Sequence, residues 1–372
     1  MAPASPPPLS VAERARSERL ADRLREEIAR AGPMPFDRFV ELALYHPADG
    51  YYVQADRALG RGGDFYTAPH VHPIFARTVA RRILAAYREL GRPGGFQLAE
   101  VAAGDGTLAL DLLDAWSAPG AEAPAGEHVL IDLPGPRLLA VGERVRAHGG
   151  PGAWTVRTAA VLGDRGPMRG VILANELLDA LPFRRLVRRH GAWRELGVGA
   201  RDGALVWEEA DLVRPIGPPD LPELPEGALL EISEAAEAWV RQAADLLVDG
   251  NLLLLDYGFV ESEGTPGGPN GTLRALRGHR AVDALDGPGT ADLSAFVDFT
   301  RIRAAAERAG LRELAFRRQP EALGAWGFES VLAEALQSAG SAEAQVRIRL
   351  AAKNLIFGFE GFRVLELAPG PR

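Results

Sequence analysis

Residues 97–112, QLAEVAAGDGTLALDL, combine residue types that can hold a charged ligand. An apolar stretch over 98–102 carries a single acid, Glu100, and predicts a short strand. The loop that follows consists of small residues and one acid: Ala102, Ala103, Gly104, Asp105 and Gly106. A helix is predicted to begin at Thr107. Glycines let the backbone approach a ligand and a helix N-terminus offers free N–H groups, so the stretch predicts a cofactor cradle.

The acid inside the predicted strand favours a cationic ligand. S-adenosylmethionine (AdoMet) carries a positive amino group and a positive sulfonium, whereas NAD presents two negative phosphates. The run from Gly104 to Ala109 also reads as GxGxxA, the dinucleotide fingerprint. A tight strand-to-helix turn without a ligand would look the same. An AdoMet site is therefore the prediction, with a dinucleotide site and an empty turn as alternatives.

Further predicted strands end in residues that suit the same ligand, because open α/β sheets bind ligands beyond the carboxyl ends of their strands. Asp132, followed by Leu133, ends the second strand and is placed to accept both ribose hydroxyls. The alternative for Asp132 is an acid at a helix N-terminus. Ala160 and Val161 end the third strand and are predicted to flank adenine, and Asp256 ends the fifth.

The segment 175–182, NELLDALP, follows a buried strand directly. Glu176 and Asp179 are three residues apart, which groups two carboxylates on one turn and indicates a cationic partner. We predict that Asn175 contacts the cofactor and that Glu176 and Asp179 are catalytic. In the alternative interpretation, Asn175 caps a short helix and Glu176 is merely solvated.

The stretch 60–70, GRGGDFYTAPH, is rich in glycine and carries a third acid, Asp64. We predict that it folds over the cofactor and that Asp64 is catalytic; an ordinary loop with a packed aromatic ring is the alternative. The histidines lack a metal-ligand spacing, so no metal site is predicted. Packing or capping roles are expected for His70 and His72, with a general base as the alternative.

The elements that position these residues alternate between strand and helix. Strands are predicted at 96–102, 128–133, 155–160, 170–175, 252–258, 311–318 and 362–367. Helices are predicted at 10–31, 107–116, 136–148, 232–249 and 298–310. This order predicts an α/β fold with a doubly wound, mostly parallel sheet of seven strands, the Rossmann-like class I architecture of AdoMet-dependent methyltransferases.

Three regions are predicted along the chain. Residues 1–9 are Pro-rich and predicted to be disordered, and residues 10–92 to form an N-terminal helical extension with a lid loop. Residues 93–372 are predicted to form the catalytic domain, with insertions at about 183–230 and 259–297 that act as lids or binding segments. The first insertion is predicted to contain a hairpin with a turn at His190-Gly191.

Composition narrows the class of protein. The formal net charge of −8 disfavours nucleic-acid binding, which requires a basic surface. The absence of cysteine excludes disulfides and thiolate nucleophiles. No apolar run approaches the length of a membrane span, and the N-terminus lacks a secretory h-region. A cytoplasmic protein is expected, and the oligomeric state is left open.

Seven motifs occur in an order that resembles one known family. They are YHPxxGYY (45–52), GxxGDFxTxP (60–69), EVxxGxGTL (100–108), ANExxDALP (174–182), DYG (256–258), TLRAxRxH (272–279) and ADLxxxVDF (291–299). The set resembles the AdoMet-dependent arginine methyltransferases that assist mitochondrial complex I assembly, together with their many bacterial homologues. The resemblance covers roughly residues 34–320 and implies AdoMet as the cofactor and a protein or small-molecule methyl acceptor as the partner.

The resemblance also implies which site residues bind the cofactor and which bind the acceptor. Those placed around AdoMet by the resemblance are Glu100, Gly104, Gly106, Asp132 and Asn175. Ala102, Asp105, Leu133, Ala160 and Val161 are predicted to bind it as well, from their places at the same strand ends. Those placed at the acceptor side are Asp64, Glu176 and Asp179.

The chain departs from the family pattern at several positions. The family cradle reads G-P-G-R-G, whereas residues 102–106 read A-A-G-D-G. The family stretch T-S-P-E is T-A-P-H at residues 67–70, so that His70 stands in place of an acid. The loop usually written Glu-x-Ser-Pro begins here with Asp132.

An arginine acceptor suits a carboxylate cluster, because carboxylates hold a guanidinium bidentately and localise its charge. Three alternatives stay open at this point. They are a small-molecule O- or N-methyltransferase with His70 or His72 as base, an AdoMet-binding assembly factor without catalysis, and an NAD(P) oxidoreductase. The basic hairpin around Arg184, Arg185, Arg188 and Arg189 favours the assembly factor.

Overall fold

The computed structural model describes residues 7–54, 67–150, 154–264 and 271–371. The chain divides into two units. The antiparallel unit comprises Met1–Phe65, Leu178–Trp239 and Gly258–Ala304. The central-sheet unit comprises Tyr66–Leu177, Val240–Tyr257 and Ala305–Arg372.

The helices of the described residues are α1 (Val11–Ala31), α2 (Phe36–Tyr45), α3 (Ala68–Val71), α4 (Ile74–Glu89), α5 (Thr107–Ser117), α6 (Pro136–His148), α7 (Glu234–Leu246), α8 (Phe299–Arg308), α9 (Gln319–Ala325), α10 (Phe328–Gln337) and α11 (Ala342–Lys353). The strands are β1 (Phe96–Val101), β2 (Gly126–Ile131), β3 (Trp154–Ala159), β4 (Met168–Asn175), β5 (Arg184–Arg189), β6 (Ala192–Arg201), β7 (Ala204–Ala210), β8 (Leu229–Ile232), β9 (Leu247–Phe259), β10 (Arg274–Arg277), β11 (Arg280–Ala281), β12 (Asp292–Ser294), β13 (Val297–Asp298), β14 (Leu311–Arg318) and β15 (Phe362–Pro369).

The central sheet has the strand order β3-β2-β1-β4-β9-β15-β14 in the part of the chain that the structure describes. Each neighbouring pair from β3 to β9 is parallel, and β15 runs antiparallel to both of its neighbours. Strands buried on both faces are near-continuous apolar runs, as in the LLLL run 252–255 of β9. The predicted α/β fold and its seven strands are confirmed, six of them within two residues of their predicted bounds. The prediction was wrong for the start of β9, which begins at Leu247 where the helix predicted at 232–249 was expected to continue.

The core of the central-sheet unit joins the sheet to its helices. Residues that are at most 1 % exposed come from successive elements: Ile83 of α4, Leu98 of β1, Leu112 of α5, Val171 of β4, Leu253 of β9 and Leu323 of α9. Helices α9, α10 and α11 fill the chain between β14 and β15, a stretch for which the sequence analysis predicted no element. Their apolar spacing buries Leu323, Val331 and Ile348 against this same core.

The antiparallel unit is built from two sheets and the N-terminal helices. Its four-stranded sheet has the order β7-β6-β5-β8, and its three-stranded sheet the order β11-β10-β12. A capping box begins α1: Glu13 N donates to Ser10 Oγ and Ser10 N donates to Glu13 Oε2. Helix α2 buries Phe36 and Phe39, which lie in one cluster with Phe183.

The predicted hairpin is present as β5 and β6, with His190 and Gly191 at positive φ in the turn between them. The predicted insertions therefore fall largely in the antiparallel unit together with the N-terminal helices. The predicted domain boundaries stay a prediction. Among the described residues, no helix is both long and apolar enough to cross a membrane.

Truncation of a central core residue should destabilise the protein strongly. Leu254 of β9 is 0 % exposed and lies between Ala174 of β4 and Leu365 of β15. We expect Leu254→Ala to lower the free energy of unfolding by about 2–5 kcal/mol, because it removes buried methyl groups and leaves a cavity. The matched control is Leu350→Ala on the exposed face of α11, which should change stability by less than about 0.5 kcal/mol in the same denaturant titration.

Asp111 on α5 should make stability depend on pH. Its pKa is raised from 3.8 to about 6, chiefly by burial. Repulsion by Asp114 raises the pKa further, whereas the positive charge of Arg77 lowers it. An acid whose pKa is raised on folding costs stability once it ionises, so its contribution becomes unfavourable as pH rises from about 4 to 6. Asp111→Asn should therefore stabilise the protein at pH 7.5 by about 1 kcal/mol, after allowance for solvent screening.

The measurement is the melting temperature of both proteins between pH 4 and pH 8. The difference between variant and parent should shrink towards zero as the pH falls to 4. A difference that stays constant across this range would show that the carboxylate is not penalised by folding.

Candidate active site

The cradle loop, residues 102–106, reverses the chain between β1 and α5. Ala102, Gly104 and Gly106 all lie in the left-handed region, with φ of 57°, 59° and 76°. Glycine adopts this conformation freely, whereas an L-alanine pays about 1–2 kcal/mol for it. A Cβ built on Gly106 would stand 2.7 Å from a methyl carbon of Val141, so helix α6 also requires glycine there. Gly104 and Gly106 thus leave the loop backbone uncovered at two positions.

Asp132, directly after β2, accepts a hydrogen bond from this loop. Its Oδ2 accepts a hydrogen bond of 2.7 Å from Gly104 N, and its Oδ1 accepts one of 2.7 Å from Leu133 N. Arg137 lies 3.5 Å from Oδ1. Each carboxylate oxygen can accept a second hydrogen bond, so Asp132 retains capacity for a ligand.

Glu100 has a partner that the sequence analysis missed. Its Oε2 accepts a hydrogen bond of 2.8 Å from His128 Nε2, and the two side chains lie on neighbouring strands. Glu100 is 3 % exposed and His128 is 0 % exposed. A charge this deep needs a hydrogen-bonding partner, and His128 supplies it. The signal in the sequence is a polar residue inside an otherwise apolar second strand, but its partner depends on register.

Asp105 carries the second unpredicted contact. Its Oδ1 accepts a hydrogen bond of 3.0 Å from Thr107 N, and its Oδ2 accepts one of 3.2 Å from His70 Nε2. Burial opposes ionisation, but the hydrogen bonds from His70 and Thr107 outweigh it and hold the pKa of Asp105 well below its usual range. The carboxylate is therefore ionised and tied to both α3 and α5.

Glu176 stands at the corner after β4. Its φ is +56°, its N donates to Leu255 O of β9 at 2.8 Å, and its Oε1 accepts 3.2 Å hydrogen bonds from Ala68 N and Asn175 Nδ2. Asn175 Oδ1 is buried and accepts no hydrogen bond from the described residues. The corner thus holds one oriented carboxylate and one buried acceptor without a donor.

The predicted adenine-flanking residues follow β3. Val161 is 54 % exposed, one of the larger apolar exposures among the described residues, and Ala160 is half-buried. Asp256 on β9 is buried and accepts a hydrogen bond from Tyr257 N at 2.9 Å. An exposed valine at a strand end is the kind of apolar surface that a flat ring can cover.

The remaining predicted catalytic residues lie elsewhere in the chain. Asp64 falls outside the described residues. Asp179 is a buried residue of the antiparallel unit, where its backbone O accepts a hydrogen bond from Ala295 N. The division between the units falls directly after Leu177, so the pairing of Glu176 with Asp179 stays a prediction.

The central-sheet unit therefore gathers acids at one edge. Glu100, Asp105, Asp132 and Glu176 all lie in or directly after β1, β2 and β4. Within the described ranges, no group of three or more His, Asp or Glu side chains could hold a metal ion. The bare glycine loop, the acids and the donor-less Asn175 Oδ1 together fit a ligand that carries positive charge and N–H donors, as AdoMet does. They fit a pyrophosphate poorly, because like charges repel.

Comparison with known proteins identifies the cofactor. A family of S-adenosyl-L-methionine-dependent methyltransferases matches residues 78–317, more than half of the chain. The chain is 34 % identical to a likely methyl transferase from Burkholderia thailandensis whose crystal structure is bound to S-adenosyl-homocysteine; the match covers 98 % of this chain and 96 % of that chain with a TM-score of 0.86.

Two curated relatives carry more specific names. The chain is 31 % identical over 322 residues to the mitochondrial protein arginine methyltransferase NDUFAF7 homolog of Drosophila melanogaster, covering 78 % of this chain and 70 % of the relative. It is 29 % identical over 332 residues to mitochondrial protein arginine methyltransferase NDUFAF7 of Mus musculus, covering 79 % and 72 %. The expectation of a cytoplasmic protein is wrong by this comparison, because both relatives are named as mitochondrial.

The fold, the glycine loop and the acidic strand ends agree with these matches, and the predicted cofactor, AdoMet, is confirmed over the dinucleotide alternative. The residues predicted to bind it stay predictions. This chain belongs to the S-adenosyl-L-methionine-dependent methyltransferase family, and S-adenosylmethionine is its methyl donor.

Proposed function

We propose that the methyl acceptor is the guanidinium of an arginine residue in a protein. The observation that carries the proposal is the oriented carboxylate of Glu176, at a corner whose backbone lies in the left-handed region. Such a conformation costs about 1–3 kcal/mol for a residue other than glycine, and it persists where the site requires it. The names of the Drosophila and mouse relatives support the same acceptor.

We assign the cofactor contacts as follows. The cradle loop (Ala102, Gly104, Asp105 and Gly106) approaches the methionine portion of AdoMet, and Glu100 contributes negative potential beneath it. Asp132, with Leu133 beside it, accepts the ribose hydroxyls through the lone pairs that its two backbone hydrogen bonds leave over. Ala160 and Val161 flank adenine, and the exposed valine supports this placement.

Asn175 receives a donor from the cofactor in this assignment. Its Oδ1 is the buried acceptor without a partner among the described residues, and an orphaned acceptor costs about 1–3 kcal/mol. The amino group of AdoMet would supply the missing donor and recover that cost. The amide Nδ2 is already committed to Glu176, which fixes the direction in which Oδ1 points.

When bound, AdoMet supplies a methyl group on a positively charged sulfur. The chain must then hold a second cation, the guanidinium, close to the first. Glu176 offsets the repulsion between the two cations and holds the guanidinium plane in one orientation. Asp179 and Asp64 are proposed as further carboxylates on the acceptor side. The acceptor's guanidinium has a pKa above about 12, so localising its charge is the contribution that matters most.

The test uses purified protein with AdoMet that carries a CD3 methyl group, added to extract from cells that lack this protein. We expect trideuteromethyl groups on arginine residues of one or a few proteins, read by peptide mass spectrometry. Label that appears only in small metabolites would assign a small-molecule acceptor. No transfer despite AdoMet binding would assign a non-catalytic binding factor.

Removing the Asp132 carboxylate should weaken cofactor binding. We expect Asp132→Asn to raise the Kd for S-adenosylhomocysteine by about 10–100-fold in titration calorimetry, because hydrogen bonds to a charged acceptor are worth about 1.5–3 kcal/mol. Asp114→Asn is the control, since Asp114 is an exposed acid of the same unit that pairs with His148. An unchanged Kd for Asp132→Asn would remove Asp132 from the cofactor site.

Neutralising Glu176 should abolish turnover without affecting the cofactor. In Glu176→Gln the retained Oε1 can still accept the hydrogen bonds from Ala68 N and Asn175 Nδ2, so only the charge is lost. We expect the Kd for S-adenosylhomocysteine to stay within about twofold and kcat to fall by about 100–1,000-fold, the range typical of lost electrostatic stabilisation. The exposed Glu329→Gln on α10 is the control for charge alone. Equal turnover in Glu176→Gln would exclude the proposed role.

A further inference from the structure

A cleft opens at the end of the central sheet opposite to the cradle loop. Its volume is about 660 Å³, which falls within the roughly 300–1,000 Å³ of small-molecule sites. It is lined by residues of α4, α9 and β14, by the beginning of β9 and by the end of β15, all of them in the central-sheet unit. Strand β9 leads from the cleft at Asp249 to Asp256, so about 20 Å of strand separates the cleft from the end where the predicted cofactor residues lie.

Small side chains leave this space open. Ala85 and Ala86 of α4, Ala315 of β14 and Ala368 of β15 line the cleft, whereas packed interiors leave few voids larger than a water molecule. The longer side chains around it are mostly charged. Among the described residues, four arginines and three acids line the cleft: Arg81, Arg82, Arg312 and Arg317, and Glu89, Asp249 and Glu366.

Two of these charges are balanced by residues outside the cleft. Arg81 Nη2 lies 2.6 Å from Glu334 Oε1, and Asp249 Oδ2 lies 3.1 Å from Arg169 Nε. Neither Glu334 nor Arg169 lines the cleft. Three arginines and two acids then remain, an excess of one positive charge: Arg82, Arg312 and Arg317 against Glu89 and Glu366.

A β-bulge in β14 brings two of these arginines to the cleft. Arg312 and Arg317 are five residues apart, so a regular strand would point their side chains to opposite faces. The pairing with β15 shifts at Leu314, and Arg312 is aligned with Ala368 and Arg317 with Val364, four residues apart on β15. Both arginines therefore lie on one face of the sheet. Bulges often redirect side chains in this way next to functional sites.

A buried carboxylate holds two of the three arginines in place. Arg82 of α4 is 8 % exposed; its Nε donates to Glu366 Oε2 at 2.6 Å and its Nη2 to Asn251 Oδ1 at 3.2 Å. Glu366 Oε1 accepts hydrogen bonds from Arg317 Nη1 at 3.2 Å and from Trp326 Nε1 at 3.1 Å. Two guanidinium groups thus share one carboxylate, which leaves their positive charge only partly compensated.

The third nitrogen of Arg82 lacks an acceptor. Its Nη1 is buried and forms no hydrogen bond with the described residues. The carboxylate that pairs with it is Glu89 Oε2 at 3.7 Å, beyond hydrogen-bond distance, on a side chain that is 62 % exposed. A buried donor without an acceptor is unfavourable, and an oxygen of a ligand would supply the acceptor if Glu89 turned into solvent.

We propose that this cleft binds a small molecule through an anionic oxygen group, a phosphate or a carboxylate, at a site separate from that of the cofactor. The planar forks of Arg82 and Arg317 suit such a group. Arg312, on the β14 side of the cleft, is exposed and forms no ion pair within the described part of the chain, so its charge is available to the same ligand. The exposed side chain of Leu314 offers apolar surface to the rest of the molecule.

The test is titration calorimetry on the full chain saturated with S-adenosylhomocysteine, which keeps the cofactor site filled. The probes are two matched pairs at constant ionic strength, glycerol 3-phosphate with glycerol and succinate with succinamide. We expect at least one anion to bind at one site per chain with a Kd below about 1 mM, and its neutral counterpart not to bind. Tighter binding of glycerol 3-phosphate would assign a phosphate ligand, and tighter binding of succinate a carboxylate. No saturable binding of either anion would overturn the proposal.

Two variants locate the bound anion. Arg312→Glu should raise its Kd by at least about tenfold, because the variant replaces an attractive charge with a repulsive one. The matched control is Arg349→Glu, which makes the same change of net charge at an exposed position of α11 and should leave the Kd unchanged. Glu89→Gln should lower the Kd by about two- to fivefold, because it removes the carboxylate that competes for Arg82 Nη1.

All three variants should keep the melting temperature of the ligand-free protein and the Kd for S-adenosylhomocysteine, since the cleft is remote from the cradle loop. Equal anion binding in Arg312→Glu and Arg349→Glu would place the anion elsewhere and overturn the proposal. The outcome does not depend on which methyl acceptor the protein uses.

Discussion

The parallel register of β1 between β2 and β4 is the constraint on which the site depends. Val101 is aligned with Ile131 on one side and with Ala174 on the other. The next residue on each strand is therefore Ala102, Asp132 and Asn175, so three separate segments reach one edge at the same height. If one of these strands paired with β1 one residue out of register, its side chain would point to the other face of the sheet. The hydrogen bond from Gly104 N to Asp132 Oδ2 then locks the loop of one strand to the end of its neighbour.

Acids gathered at one edge repel one another, and the structure shows how the fold tolerates them. Glu100 is bonded to His128, Asp105 to His70 and Thr107 N, Asp132 to two backbone N–H groups, and Glu176 to Ala68 N and Asn175. Most of these donors are neutral backbone or amide groups, which satisfy lone pairs without carrying a charge, whereas Arg137, 3.5 Å from Asp132 Oδ1, partly offsets the charge there. The edge keeps its negative potential, which favours a cationic methyl donor over a dinucleotide.

The sequence predicts the parts of this arrangement that depend on local pattern. The strand–glycine–helix unit, Asp132 after an apolar run and the Asn175-Glu176 corner follow from residue type and position along the chain. The partners of the acids do not, because the contact of His128 with Glu100 and that of His70 with Asp105 depend on register and on the path of the chain. Helices α9 to α11 were also missed, since their apolar positions are interrupted by charges that face solvent. Asp64 lies outside the described residues, and its role stays a prediction.

The basic hairpin shows why a run of charged residues in a sequence is weak evidence for a binding surface. Its arginines favoured an assembly factor without catalysis. In the antiparallel unit Arg184 is wholly buried and bidentate on Glu195 at 3.0 and 2.5 Å, and Arg185 bonds Glu231 at 3.0 Å. Arg189 is bidentate on Glu209. Planar guanidinium forks suit such pairs, and removing one partner would leave a costly unpaired charge inside the protein. Arg184 and Arg185 serve as internal counterions and Arg189 pairs at the surface, so folding accounts for the feature that favoured a binding factor. The acids at the edge of the central sheet remain the feature that a positively charged ligand would explain.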